Sequence, residues 1–154
     1  MRTIPREVSR FSTRDNPVET TRRLLRNATK SEMRMYILGA LHDATFNRKH
    51  QTYRFSQSSK GWLELVQQML ESIGWKGWIY KEGANRFVWA LETRAKIDRE
   101  EKPKNMGEKI AYIRGYFDAE GGMPRDKSHF LYFQFSQKDK IDLNQVRSIS
   151  KNWE

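Results

Sequence analysis

At 154 residues the chain is long enough for one compact domain or two small fused repeats, and 37% hydrophobic content with five Trp and eight Phe can fill a core, which excludes disorder throughout. Lys plus Arg outnumber Asp plus Glu by 29 to 19, giving a net charge of +10 and a pI near 9.9, so the expected partner is a polyanion such as DNA or RNA. The absence of cysteine excludes disulfides and thiolate metal sites, and no segment reads as a signal peptide or a bilayer-spanning run, so the expected location is cytoplasmic, in the cytosol, the nucleoid or an organelle matrix.

Residues 1–30 have few periodic apolar positions and are expected to form a basic extension. A short helix after Asn16-Pro17 would carry Arg22, Arg23, Arg26 and Lys30, either as a solvated face or as a phosphate-tracking arm, with Leu24 and Leu25 as its only anchors. Thr29 and Glu32 have capping-box spacing and open a helix expected over 33–44. The basic loop Asn47-Arg48-Lys49-His50 follows, then a strand over 51–57 with Tyr53 and Phe55 on one face and Thr52, Arg54 and Ser56 on the other. Trp62, Leu65, Val66, Met69, Leu70 and Ile73 form the core stripe of a helix over about 58–73, stopped by Gly74. A hairpin is expected from 75–81 and 86–92 around a turn at 82–85, with Phe87, Trp89 and Leu91 facing one way. The mixed-charge stretch from Arg94 to Lys104 reads as a linker. Asn105 and Glu108 then repeat the capping-box spacing and open a helix over 108–120. After it come a second basic loop with Arg125 and Lys127, a strand with Leu131, Phe133 and Phe135 inward and Tyr132, Gln134 and Ser136 outward, and a helix over 139–153. His42, His50 and His129 have no mutual metal-ligand spacing and read as packing or surface residues.

An internal repeat is the most informative feature. Leu38-Gly39-Ala40-Leu41-His42-Asp43-Ala44-Thr45-Phe46 parallels Ile113-Arg114-Gly115-Tyr116-Phe117-Asp118-Ala119-Glu120-Gly121 at a spacing of 75 (118 − 43). Each copy ends an apolar helical pattern and carries small residues one turn apart, Ala40/Ala44 and Gly115/Ala119, so two helix backbones can approach closely with their acidic ends side by side. Alone, the second nonamer could be an ordinary helix ending on a glycine cap. A second correspondence, Tyr53 to Gln57 with Phe133 to Gln137 at a spacing of 80 (135 − 55), extends the repeat through a turn and a strand and makes coincidence a poor account.

The two nonamers resemble the signature motifs of the LAGLIDADG homing endonucleases, site-specific DNA-cleaving enzymes usually encoded within introns or inteins; the second match is strong and the first degraded. The resemblance covers about residues 31–153 and implies an α+β fold of αββαββ repeats packed through two central motif helices. One repeat with its linker would span 31–104, and an incomplete one 105–154, without its second hairpin. It implies that Glu120, the acid before the final glycine, is a catalytic carboxylate and ligand of Mg²⁺. The matching position in the first motif is Thr45, leaving Asp43 as the weaker acidic candidate on that helix. Asp43 lies two residues, about 200° of helix, before the catalytic position.

The implied reaction is Mg²⁺-assisted hydrolysis of phosphodiesters in double-stranded DNA, weakened or limited to nicking by Thr45. The alternative is the same scaffold with a decayed metal site, acting as a DNA-binding regulator or an RNA maturase. Candidate nucleic-acid contacts are Arg48, Lys49, Arg54, Ser56, Lys81, Arg86, Arg125, Lys127, Gln134 and Ser136, because Arg and Gln on a twisted sheet reach guanine and adenine edges and basic loops reach phosphates. The expected assembly is a monomer with a pseudo-two-fold axis or one completed by a second chain, with no membrane partner.

Overall fold

The computed structural model describes residues 21–23 and 25–122 together with Gln134, Phe135, Asn144, Arg147 and Ser148. The first motif helix, α1 (Lys30–Ala40), starts at a complete capping box: Thr29 Oγ1 accepts from the Glu32 amide at 3.2 Å and the Glu32 carboxylate accepts from the Thr29 amide at 2.7 Å. Every residue from Met35 to Ala40 is buried, so α1 is wrapped on all sides, the position of a central helix. Instead of continuing to residue 44 as the apolar pattern predicts, it tightens into a 3₁₀ turn at Leu41–Asp43, and Ala44 is already extended.

From there the chain enters β1 (Thr45–Asn47) and β2 (Thr52–Gln57), joined by a turn in which Gln51 takes a left-handed φ of 53°. Helix α2 (Lys60–Ser72) is capped by Ser59 and buries Trp62, Leu63, Leu65, Val66, Met69 and Leu70. It stops where expected, at Gly74, whose φ of 93° suits the left-handed cap. The hairpin is β3 (Gly77–Lys81) with β4 (Trp89–Thr93), starting two and three residues later than the alternation predicts. The second motif helix, α3 (Met106–Glu120), starts with Asn105 accepting from the Glu108 amide at 2.9 Å and leads into β5 (Gly121–Gly122), which pairs with β6 (Gln134–Phe135).

Strands β1-β2-β4-β3 form an antiparallel sheet in that order. Phe55, Leu91 and Ile79 are in register on one face, and Phe55 meets Trp62 of α2 edge-on with ring centroids 6.0 Å apart. By alternation the opposite, outer face carries Arg54, Ser56, Trp78, Tyr80 and Glu92. Two expectations are corrected here. Thr52, placed by alternation on the free polar side, is buried. Phe87, expected to share a face with Trp89 and Leu91, precedes β4 and is 87% exposed.

The two motif helices pack against each other, as the repeat predicts, with the expected Gly115 at close approach and opposite it Gly39, which the small-residue pairs do not include. A Cβ on Gly39 would strike the Tyr112 carbonyl and lie 2.8 Å from the Tyr116 amide nitrogen; one on Gly115 would strike the Tyr36 carbonyl. These contacts are reciprocal, and so are others along the pair. Ser31 bonds Glu108 while Glu32 lies against Gly107, and Tyr36 reaches Asp118 while Tyr112 reaches His42. Thr29/Asn105, Glu32/Glu108, Tyr36/Tyr112, Gly39/Gly115 and His42/Asp118 all have a spacing of 76 (115 − 39). The helices are therefore related by a pseudo-two-fold axis in a register one residue away from the one the nonamers give. The capping residues carry that register in the sequence as well.

In the N-terminal part, Leu25 packs on the core, the anchoring role expected of it, and Thr21 is 1% exposed. The stretch between the repeats is likewise anchored, with Ala95 and Ile97 buried.

Candidate functional site at the motif-helix ends and sheet face

Asp118 has a structural task. Its carboxylate accepts from the Tyr36 hydroxyl at 2.6 Å and from Thr21 at 3.1 Å, and pairs with Arg114 at 2.9 Å, with only 10% of the side chain exposed. Arg114 also donates to Thr21 Oγ1 at 2.7 Å, and Trp62 Nε1 donates to the Tyr36 oxygen at 3.0 Å. Burial, then the Asp118 charge, push the Tyr36 hydroxyl far above its ordinary pKa, so it stays protonated as a donor. The network ties α1, α2, α3 and Thr21 together. On the other side of the axis, His42 Nε2 lies 2.9 Å from the Tyr112 hydroxyl and its ring stacks at a tilt on Tyr116, a packing role as expected.

In this register Asp43 corresponds to Ala119, not to Asp118, and the counterpart of Glu120 is Ala44, not Thr45. Asp43 ends the 3₁₀ turn, partly buried, where it accepts from Gln57 Nε2 at 2.6 Å. Burial raises its carboxyl above the usual range, against the lowering effect of that hydrogen bond. Glu120 is the last residue of α3, and its side chain lies outside the described set.

A hard divalent cation at the helix ends requires several charged oxygen ligands. Among the described residues this place supplies one carboxylate, Asp43, in surroundings that disfavour its charged form, while Asp118 is committed to three donors and the Ala44 side chain has no ligand atom. No group of three acidic or histidine side chains among the described residues is arranged to hold a metal. Without the Glu120 side chain, the described residues alone do not complete a Mg²⁺ site.

Of the surface candidates, Arg54 and Ser56 share the outer face of β2. Arg54 is not free there: it pairs with Glu82 and its guanidinium lies 6.0 Å from the Tyr80 ring centroid, while the Tyr80 hydroxyl donates to Glu92 at 2.6 Å. Trp78, 42% exposed, completes this face. Arg48 and Lys49 are exposed in the β1–β2 turn, and Arg86 is exposed before β4. Lys81 is not brought together with Arg54, because its register with Trp89 puts it on the Phe55 side of the sheet, near the Phe87 ring. Arg125, Lys127 and Ser136 lie outside the described residues, as does the side chain of Gln134. Tyr36, Tyr112, Gln57, Glu82 and Glu92 were not among the sequence candidates; the tyrosines, at their shared spacing of 76, and Gln57, within the repeated strand, have a signal that could have found them.

The class defined by this fold and its paired motif helices is the LAGLIDADG-type α+β scaffold. Among solved structures the chain is similar to the N-terminal LAGLIDADG domain of DUF199/WhiA, with a TM-score of 0.71 and 15% identity over 91% of this chain and 75% of that one. Full-length WhiA from Thermotoga maritima matches at a TM-score of 0.70 and 16% identity, over 88% of this chain and only 49% of its own length. I-DmoI in complex with DNA and Mn matches at a TM-score of 0.55 and 23% identity, over 80% of this chain and 78% of that one. No family model and no curated protein sequence matches the chain. At these identities the likeness establishes the fold. No helix among the described residues is long and apolar enough to cross a membrane.

Proposed function

We propose that this chain binds double-stranded DNA on a LAGLIDADG scaffold whose motif-helix centre has lost the paired acids needed for double-strand cleavage. The observation that carries this reading is the register of the pseudo-two-fold axis, which makes Ala44 the counterpart of Glu120. The charge of +10 and the exposed Arg48 and Lys49 support a polyanionic partner. DNA-bound neighbours of the same fold support the duplex form of that partner. Selection from a randomised duplex library, followed by a binding titration of the enriched sequence, tests it. Saturable binding of that duplex, well above binding to scrambled duplex, is the expected result. Equal affinity for both, or preference for a structured RNA, would refute it.

A second reading is a Mg²⁺-dependent nicking endonuclease using Glu120 and Asp43. It is favoured by Asp118-Ala119-Glu120-Gly121, which is intact, and by Asp43 at the first helix end. Under the favoured reading Ala44→Asp introduces Mg²⁺-dependent cutting and Thr45→Asp does not. Under the second, Glu120→Gln removes a nicking activity the wild type already has.

A further inference from the structure

A cleft of about 520 Å³ lies between α1, the β1 edge of the sheet and the segment following β4, within the size range of small-molecule sites. It is on the Phe55 side of the sheet, away from Arg54 and Ser56: Phe46 and Tyr53 are in register on that side, their ring centroids 4.9 Å apart. Phe46 is 41% exposed, a large apolar ring presented to solvent at the cleft. Ala95 and Ile97 supply a buried apolar wall, and alternating with them in sequence Arg94 and Lys96 are exposed at the lining.

The charge at the cleft is unbalanced. Arg34 is held by Glu101 at 2.6 Å, and Asp98 offsets one cation, while among the described residues neither Arg94 nor Lys96 is in an ion pair. Gln51, also at the lining, holds its left-handed backbone with its side chain turned back to the Arg48 carbonyl at 2.7 Å. For a residue other than glycine that conformation is disfavoured by about 1–2 kcal/mol. An exposed aromatic ring on an apolar wall, beside two unpaired cations on one short segment, is complementary to a planar ring that carries several negative charges.

We propose that this cleft is a binding site for a free nucleoside polyphosphate, with the base against Phe46 and the phosphates toward Arg94 and Lys96. Because Tyr53 lines the cleft and Arg54, its neighbour in β2, is on the outer face, occupancy at one side bears on the strand that presents the other. The cleft lies on the opposite face of the sheet from Arg54 and Ser56, and the proposal does not depend on the duplex-binding reading.

Isothermal titration of the full chain with ATP, GTP and inorganic tripolyphosphate tests the proposal, repeated on Phe46→Ala and Lys96→Glu. Both positions are solvent-accessible, so each variant should keep the fold, which circular dichroism verifies. The expected result is saturable one-to-one nucleotide binding, weakened about tenfold or more by Phe46→Ala, in line with base stacking on an aromatic ring. Lys96→Glu should weaken it at least as much, and tripolyphosphate should bind far more weakly than ATP. Duplex affinity of Phe46→Ala should stay within about twofold of wild type, as expected for a residue away from the phosphate-tracking surface. Absence of nucleotide binding, or ATP affinity unchanged by Phe46→Ala, overturns the proposal. So does competition in which duplex DNA displaces ATP and Phe46→Ala weakens both ligands equally, because the cleft is then part of the duplex surface. Nucleotide binding without any duplex binding would leave the site standing and remove the proposed function instead.

Discussion

Replacing Gly115 by alanine adds one methyl group where the two motif helix backbones meet. On α3 alone the change is favourable, because alanine is better than glycine in a helix interior by about 1 kcal/mol. The added Cβ, however, would strike the Tyr36 carbonyl and come within 2.8 Å of its carbon, closer than real Cβ atoms approach. The obstacle is the backbone of a helix buried on every side, so no side chain can rotate away. The helices must separate by about 1 Å, and a gap of that size forfeits a quarter to a half of each dispersion contact across it. Overpacking of this kind costs about 1–3 kcal/mol, and the lost contacts along the pair add to it. After the helical gain, the expected net loss is about 2 kcal/mol, or a melting temperature lower by about 6 °C for a chain of this size. Urea denaturation followed by circular dichroism measures it. Gly39→Ala should behave alike, by the reciprocal contact with Tyr112. Gly107→Ala on the same helix meets side-chain ends, the Glu32 carboxylate and Asn105 Oδ1, rather than backbone, and should lose less stability than Gly115→Ala. A Gly115→Ala protein as stable as wild type, or more so, would refute the close crossing and the register built on it.

Asp118→Asn should destabilise by about 2–3 kcal/mol in chemical denaturation, because it leaves Arg114 without its charge partner and weakens the bonds to Tyr36 and Thr21. The folded-state pKa of Asp43 is raised, so the fold binds more protons there than the unfolded chain, and stability falls as pH rises through the interval just above the ordinary aspartate value. Asp43→Asn should flatten that part of a stability-against-pH curve and be at least as stable as wild type at neutral pH; an unchanged curve contradicts the burial account. Duplex affinity should drop at least about a hundredfold between about 50 and about 200 mM salt, as four or more phosphate contacts require. A salt-independent titration contradicts the electrostatic footing of the interface.

Helices α1 to α3, the β3–β4 hairpin and the α+β class were legible because their signals are local. Capping-box spacing at Thr29/Glu32 and Asn105/Glu108 marks both motif helices, and Gly74 stops α2 where a left-handed φ is needed. The register of the repeat was misplaced by one residue because the nonamers were aligned on Asp43 and Asp118, the most conspicuous shared residue type, whereas the packing is set by Gly39 and Gly115. The helix end was missed for a related reason. Apolar periodicity continues through Leu41, but the backbone tightens there, and period alone does not separate an α turn from a 3₁₀ turn. Neither the Asp118 network nor the Glu82 and Glu92 partners of the outer face could be read from the chain, since their pairings cross 12 to 97 residues of sequence and depend on the fold being already in place.

The central claim is that the protein engages duplex DNA through this scaffold while the first motif, with Ala44 at the position equivalent to Glu120, provides no second acid for cutting. The most direct measurement incubates a supercoiled plasmid carrying the selected duplex sequence with the wild-type protein in Mg²⁺, at a concentration where binding is saturated. The account predicts a plasmid that is bound and remains closed. Nicked or linear product from the wild-type protein, removed by Glu120→Gln, would contradict it.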